Sequence, residues 1–429
     1  MSSTLRGGAA RIEITPPVGK DLTGFLLREN PSIGVRDPLY ARALVLDDDD
    51  RQVAIISCDL LGFDRERILE IYDRIHLQTG IAAAHMMVAC THTHGGPATM
   101  SLVDCGTIDP SYVDSLVLRL VEVVAQAQER LQPVTLAVGS ATSSEGVHNR
   151  RTPGDVIDPE VGLLRVDDAQ GKPLAVLVNY ACHPTTLFHD NRKISADYPG
   201  LVTSRIEDET GAIALFLTGA IGDVGPVARG EESLATVGNA VANAAVAALP
   251  ALEANPVERL RTAGELLHLP LLPLPTRADW LAWRDEYMAA AMSAEQSEDG
   301  PSPKIPWAMV HWTERMFEEM QDHELRPTVD AGIQVFRIGQ LVIVGVPGEY
   351  FVELGLQMKQ EIKQNNDVRV VMVVGFANGN VGYIPARRAY AQGGYEVAEA
   401  YRYYGYAAAI APEGGEQILS SAATLSARL

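Results

Sequence analysis

His85-Met86-Met87-Val88-Ala89-Cys90-Thr91-His92-Thr93-His94-Gly95-Gly96-Pro97 joins an apolar run to two histidines and a chain-breaking Gly-Gly-Pro. The run reads as a buried strand of a parallel sheet, because an apolar segment without alternation expects cover on both faces. Histidines at i and i+2 on a continuing strand point to the same side. Gly95, Gly96 and Pro97 break the strand, so both imidazoles stand where the chain leaves the sheet. α/β proteins bind ligands at such places, and neutral imidazole is the commonest metal ligand. The other reading is two polar strand-end residues bonded to backbone. Taken alone, the motif leaves the two readings about even.

Outward from this motif, strand-length apolar runs alternate with amphipathic stretches of helical length. Strands are expected at Tyr40 to Leu46 and Gln52 to Cys58, with Asp47 to Asp50 as a solvated hairpin turn. A helix from Arg65 to Gln78 then leads into the histidine strand, which makes a βαβ unit. A helix follows over Tyr112 to Leu131, and strands at Val134 to Val138, Val161 to Val166 and Leu174 to Tyr180. Next come a helix from Tyr198 to Asp208, a strand from Ile213 to Thr218 and an Ala-rich helix from Leu234 to Leu249. Strands at Ile333 to Ile338 and Leu341 to Val346, a helix from Tyr350 to Gln364 and a strand from Val368 to Val374 complete the pattern. The Trp-rich segment from about Arg277 to Asp322 reads as an inserted helical lid, broken at Asp299 to Pro303. The expectation is one mixed α/β domain over 1–429, with a largely parallel sheet core, helices on its faces and this insertion.

Bulk properties narrow the function. A formal net charge of -20 excludes a nucleic-acid partner, whose phosphates need a basic surface, and opposes docking to an anionic membrane. No stretch of about 18 consecutive apolar residues occurs, so no membrane insertion is expected. Residues Met1 to Gly8 contain no apolar signal region, which points to a cytoplasmic protein. Cys58, Cys90, Cys105 and Cys182 show no CxxC spacing and are expected to be reduced and structural. The expected partner is a small-molecule substrate, with self-association into a homo-oligomer left open.

Unusual residues recur where strands end. The strand ending at Tyr180 runs into Cys182-His183-Pro184, and the one ending at Thr218 runs into the Gly-rich loop Gly219 to Pro226. Exposed amides in such a loop can hold an oxyanion. Pro347-Gly348-Glu349 sets a carboxylate at an expected helix start, and Gly375 to Tyr383 follows a further strand. Each has a plain reading: Glu349 suits a helix N-terminus, Tyr383 suits a core, and Gly222 and Gly225 permit a tight turn. His76, His85, His268, His311 and His323 are assigned to ordinary structural or surface roles. The recurrence as a set favours a His/His/carboxylate centre with an open position, the arrangement of catalytic zinc.

Ile14 to Gly19, Thr91 to Pro97, Asn179 to Thr185, Gly222-Asp223-Val224 and Val346 to Glu349 together resemble the neutral/alkaline non-lysosomal ceramidases. The resemblance runs from near residue 9 to near residue 425. It implies one zinc ion per chain, held by His92, His183, Glu349 and Tyr383. It makes His94 the residue beside the metal, facing substrate or attacking water. It implies that Tyr395, followed by Glu396, helps hold the oxyanion and that Arg150 faces the pocket, with Arg151 as the neighbouring option. Asp197 matches an aspartate that would orient a ligand histidine. Gly222, Asp223 and Gly225 form the substrate-binding loop. One departure stands out: the family's loop carries a serine required for ceramide where this chain has Gly225. The family's secretion signal and C-terminal β-sandwich are also not expected here.

These observations imply zinc-dependent hydrolysis of an amide in a small soluble molecule, with His94 moving the proton and Tyr395 and Arg150 stabilising the oxyanion. Ceramidase activity itself, ester or lactone hydrolysis, and a non-catalytic ligand-binding relative are the alternatives. Specificity is expected in the 277–322 insertion and in the loop from Cys105 to Ser111.

Overall fold

Burial of both faces of the core strands decides the architecture. The computed structural model describes residues 5–255, 259–297, 301–322 and 324–429. In chain order, the strands along the main path of the nine-stranded larger sheet are β1 (Arg6–Glu13), β2 (Tyr40–Asp47), β3 (Gln52–Cys58), β4 (Met86–Cys90), β5 (Gln132–Thr142), β6 (Glu160–Asp168), β7 (Pro173–Tyr180) and β8 (Ile213–Thr218). Their spatial order is β8-β7-β6-β5-β1-β2-β3-β4, and the two-residue strand Ala254–Asn255 pairs with β5. A second sheet holds β9 (Leu260–Pro270), β10 (Thr328–Ile338), β11 (Leu341–Gly345) and β12 (Val370–Val374) in that order.

On β2, Ala41, Ala43 and Val45 enter one core while Leu44 and Leu46 enter another. On β4, Met86, Val88 and Cys90 take the first core and Met87 and Ala89 the second. The second core is shared with Phe336, Ile343, Met372 and Val374 of the smaller sheet. The two sheets therefore pack face to face. Helices α1 (Arg65–Thr79), α2 (Pro110–Glu129), α3 (Asp197–Thr210) and α4 (Glu231–Ala248) cover the outer face of the larger sheet. Helices α5 (Arg277–Glu295) and α6 (Lys304–Asp322) form the insertion between β9 and β10. α7 (Val352–Asn365) and α8 (Glu413–Ala427) cover the outer face of the smaller sheet.

The mixed α/β character is as expected, but the sheet is not largely parallel. Only β7/β8 and β3/β4 in the larger sheet and β11/β12 in the smaller pair in parallel; the neighbours between them are antiparallel. Apolar runs without alternation had suggested a parallel sheet covered by helices. The same pattern arises here in antiparallel strands, because a second sheet covers the face that would otherwise meet water. The hairpin at Asp47 to Asp50 and the βαβ unit through α1 are both present. β1 and β9, which carry glycine or alternate polar residues, were not foreseen.

The insertion is a helical pair. Trp280 and Trp312 are fully buried between α5 and α6, with ring centroids 4.9 Å apart. Val103, Leu26, Tyr401 and Tyr403, from the loops around the site described below, join the same cluster. His323 and residues 299–300 of the expected break lie outside the described residues. α4 has the length and mean hydropathy (1.4) of a membrane span, yet one face of it, with Leu234, Val237 and Val241, is buried against the sheet.

A buried ion pair fixes the start of the segment that carries the site. Asp59, just past β3, accepts from Arg42 at 2.8 Å and from the Tyr40 amide at 2.9 Å. Burial disfavours the Arg42 charge, but Asp59 and Glu207 outweigh it and raise its pKa. Replacing Arg42 by Met would strand the Asp59 carboxylate, and should cost about 3–5 kcal/mol in denaturant unfolding. A loss below 1 kcal/mol would show that the pair is not what anchors this turn.

Candidate metal centre

β4 stops at Cys90, and His92 adopts a φ of 64°, so the chain turns at the first histidine. The expectation of two histidines on one continuing strand is corrected accordingly. It is the turn that brings the His92 and His94 rings together, edge to face with centroids 5.0 Å apart. The His92 amide donates to Leu60 at 2.8 Å, Nδ1 meets the Leu61 carbonyl at 2.8 Å, and Phe376 stacks on the ring at 3.7 Å. His94 Nδ1 meets the Gly24 carbonyl at 3.0 Å. A Cβ at position 24 would lie 2.3 Å from that ring, so only glycine lets this backbone approach. His183, past β7, completes the set, with its ring 4.9 Å from His92 and 5.3 Å from His94 and a hydrogen bond to the Ile221 backbone.

A carbonyl can only accept, so in His92 and His94 Nδ1 carries the proton and Nε2 keeps its lone pair, while His183 Nδ1 lies 3.4 Å from Arg150 Nη1 and its Nε2 faces Glu349. The potential ligand atoms of the three histidines lie within 4.8 Å of one another. Glu349 closes the group, with Oε1 3.9 Å from His92 Nε2 and Oε2 3.8 Å from His183 Nε2. His92 Nε2, His94 Nε2 and Glu349 Oε2 are buried without a protein partner. Leaving such an atom unsatisfied costs about 1–3 kcal/mol, so three aimed at one volume fit a bound cation. Neutral imidazoles with a carboxylate suit a borderline metal such as zinc.

Burial sets the protonation states. It lowers His92 to about 3 and holds His94 and His183 well below the ordinary histidine range, so all three are neutral. It raises Glu349 to about 7, against the pull of Arg150, Tyr383 and Tyr404. Glu349 does not start a helix as expected. Glu349–Tyr350 is a two-residue strand paired in parallel with Tyr383–Ile384, and α7 begins only at Val352. That pairing sets Tyr383 beside Glu349, to which it hydrogen-bonds.

The structure gathers the expected residues around one volume. His94 stands with the other two histidines, while the Tyr383 hydroxyl accepts from Arg150 Nη2 at 2.8 Å. Arg150 also donates to the Gly222 carbonyl at 2.8 Å and to Glu396 at 3.1 Å. Arg151 secures the other Glu396 oxygen at 2.5 Å. Tyr395, 43 % exposed, lies at the cavity mouth with its ring 5.8 Å from Tyr383. Gly222 and Asp223 do not line the cavity. A Cβ on Gly222 would lie 2.4 Å from the Glu349 carbonyl, and Asp223 binds Asn149 at 3.0 Å and the Val352 amide at 2.8 Å. They build the wall because loop and strand backbones meet there. Asp197 does not reach a histidine either: its carboxylate holds Thr186 at 2.6 Å and the Leu187 amide at 3.0 Å, fixing the segment after His183.

A cavity of about 240 Å³ opens onto His92, His94, Glu349, Tyr383 and Tyr395, and its lip is apolar, with Phe25, Leu26, Leu27, Leu102, Phe188 and Ile305. Ile305, in α6, brings the insertion to the mouth. Tyr404, which donates to Glu349, and Phe376 were not foreseen. The only sequence cue for Tyr404 is the crowding of tyrosines at 401–406. The four cysteines are free and buried, as expected.

The neutral/alkaline non-lysosomal ceramidase N-terminal family model matches residues 6–243. The chain belongs to that family. A neutral ceramidase of Pseudomonas aeruginosa is 24% identical over 457 residues, covering 91% of this chain and 68% of that protein. A neutral ceramidase of Drosophila melanogaster is 25% identical over 260 residues, 53% of this chain and 36% of that protein. The crystal structure of neutral ceramidase from Pseudomonas aeruginosa superposes with a TM-score of 0.75 at 19% identity, over 100% of this chain and 74% of that one. The fold is thus shared, and membership makes this chain one of a family of hydrolases.

The geometry predicts one tightly bound divalent ion per chain. Zinc added to metal-free protein should bind with unit stoichiometry and stabilise it by about 2.7 kcal/mol at a hundred-fold excess over Kd. His92→Ala and His183→Ala should abolish this in calorimetry, whereas undiminished binding by either would exclude the cluster as the site.

Proposed function

We propose that this chain is a zinc-dependent amidohydrolase that cleaves the C–N bond of an N-acyl substrate. The carrying observation is the convergence of three imidazole Nε2 atoms and Glu349 on a cavity that is open on its apolar side. Relatives named for ceramide, itself an amide, support the bond type. The lip of Phe25, Leu26, Leu27 and Phe188 favours a substrate with an apolar group, which refines the expectation of a small soluble molecule.

A bound zinc ion would supply Lewis acidity toward the carbonyl and make water acidic near neutral pH. The chain's own groups do the rest. In this reading the ion is left to His92, His183 and Glu349, and His94, kept as one tautomer by Gly24, keeps its Nε2 lone pair off the metal to take a proton and return it to the departing amine. Arg150, fixed by Glu396 and Gly222, donates to Tyr383 and so orients that hydroxyl beside Glu349. Tyr395 offers its phenol from the mouth to a developing oxyanion.

Zinc-loaded protein should hydrolyse a medium-chain N-acyl amide and stop when a chelator removes the metal. Arg150→Met should lower kcat/KM by about 100- to 1,000-fold with metal content unchanged. No turnover of any amide by stoichiometrically loaded protein would sink the proposal.

Gly225 is the natural place to probe the substrate. A Cβ there would meet His183 Cβ at 3.8 Å and Arg150 Cδ at 3.9 Å, both ordinary contacts. Gly225→Ser should fold with little change in Tm and raise hydrolysis of short-chain ceramide at least about ten-fold. An unchanged rate would mean that something other than this side chain separates the two substrate classes.

A further inference from the structure

Arg28 is an arginine whose placement the metal centre does not explain. It is 3 % exposed, yet no carboxylate among the described residues hydrogen-bonds to it, and Asp190 acts on its charge only from a longer range. Nη1 donates to the Thr23 carbonyl at 2.8 Å, and the guanidinium lies 5.0 Å from the Phe25 ring centroid. These two contacts fix its plane. Nε and Nη2 are buried with no partner. Those two nitrogens share one edge of the guanidinium, the edge that takes a carboxylate through two parallel hydrogen bonds. Leaving a cation unpaired at such depth is costly, and burial lowers its pKa to about 10. A residue kept on those terms points to a ligand.

Its position says which one. Phe25 separates Arg28 from His94, whose ring is 4.6 Å from that of Phe25, so the guanidinium is at most about 10 Å from His94. Arg28 lines a groove with Asn30, Thr107, Lys304 and Trp307, which adjoins the catalytic cavity through Leu26. The groove's own carboxylates are engaged elsewhere: Asp21 accepts from the Thr107 amide at 3.0 Å, and Asp104 binds His311 at 2.7 Å. Lys304 adds a second cation, held to the Arg28 carbonyl at 2.9 Å.

We propose that Arg28 is an anion-binding subsite that receives a carboxylate on the amine portion of the substrate, so that the preferred substrates are N-acyl amino acids. This rests on the amidohydrolase reading for the bond cleaved, but not for the binding itself. An N-acyl amino acid carries its carboxylate two bonds from the amide nitrogen, on the amine side, and leaves its acyl chain for the apolar lip of the cavity.

N-lauroylglycine and N-lauroylethanolamine differ in that one carboxylate, and calorimetry on metal-free protein compares them without any turnover. Wild type should bind the glycine conjugate at least about ten-fold tighter, against the repulsion of a chain with net charge -20. Arg28→Met should erase the preference, leave the ethanolamide affinity within about two-fold and raise Tm, because it removes a buried unpaired charge. Arg28→Lys should keep part of the preference, and provides the comparison if the Met variant does not fold. Equal affinities in wild type, or a preference that survives in either variant at full strength, would overturn the subsite. Hydrolysis of the same pair by zinc-loaded protein is read separately: cleavage of neither sinks the amidohydrolase reading, while the binding data still decide Arg28.

Discussion

Three imidazoles and one carboxylate are held facing one another in the interior, with His92 Nε2, His94 Nε2 and Glu349 Oε2 left without a protein partner. That constraint organises the rest of the molecule. Water would satisfy these atoms in an open site, but His92, His183 and Glu349 are each no more than 2 % exposed. Their mutual arrangement is unfavourable without a cation, so other parts of the fold must hold it in place. The Leu61 and Gly24 carbonyls do this for His92 and His94 through Nδ1, and the Ile221 backbone and Arg150 do it for His183. Arg150 provides a second constraint, tying Glu396, Tyr383 and Gly222 into one wall.

The back-to-back sheets explain how such a site stays rigid. Strand ends of both sheets deliver its residues: β4 leads to His92, β7 to His183, β11 to Glu349 and β12 to Phe376. Each strand is locked by apolar cores on both faces, so the loops beyond it inherit fixed origins. Positive φ occurs at His92 and Phe376 in the loops past β4 and β12, and at Asp197, the first residue of α3. The helical insertion then supplies the rim, where Ile305 and Lys304 stand over the cavity and its neighbouring groove.

Much of this was legible beforehand, for identifiable reasons. Strand positions followed from apolar runs, and the ligand candidates from histidine or carboxylate directly after those runs. What misled was the meaning of a run buried on both faces, which helices or a second sheet can equally produce. The site's supporting residues were harder to see. Phe376 and Tyr404 look like core aromatics in the chain, and Arg28 looks like a surface charge. Their roles depend on neighbours distant in the chain, such as His92 under Phe376 and Glu349 beside Tyr404.

The sequence alone determined which segments form strands and helices, that histidine and glutamate cluster at strand ends, and which family the motifs resemble. These follow from local chemistry: side-chain periodicity, chain-breaking Gly and Pro, and the ligand properties of imidazole. Tertiary structure decided the antiparallel pairing, the grouping of His94 with His92 and His183, and the spending of Asp197, Gly222 and Asp223 on scaffolding. It also placed an unpaired guanidinium beside the catalytic cavity. Each of these depends on which distant backbone groups meet a given side chain, and only the packing of two sheets against each other settles that.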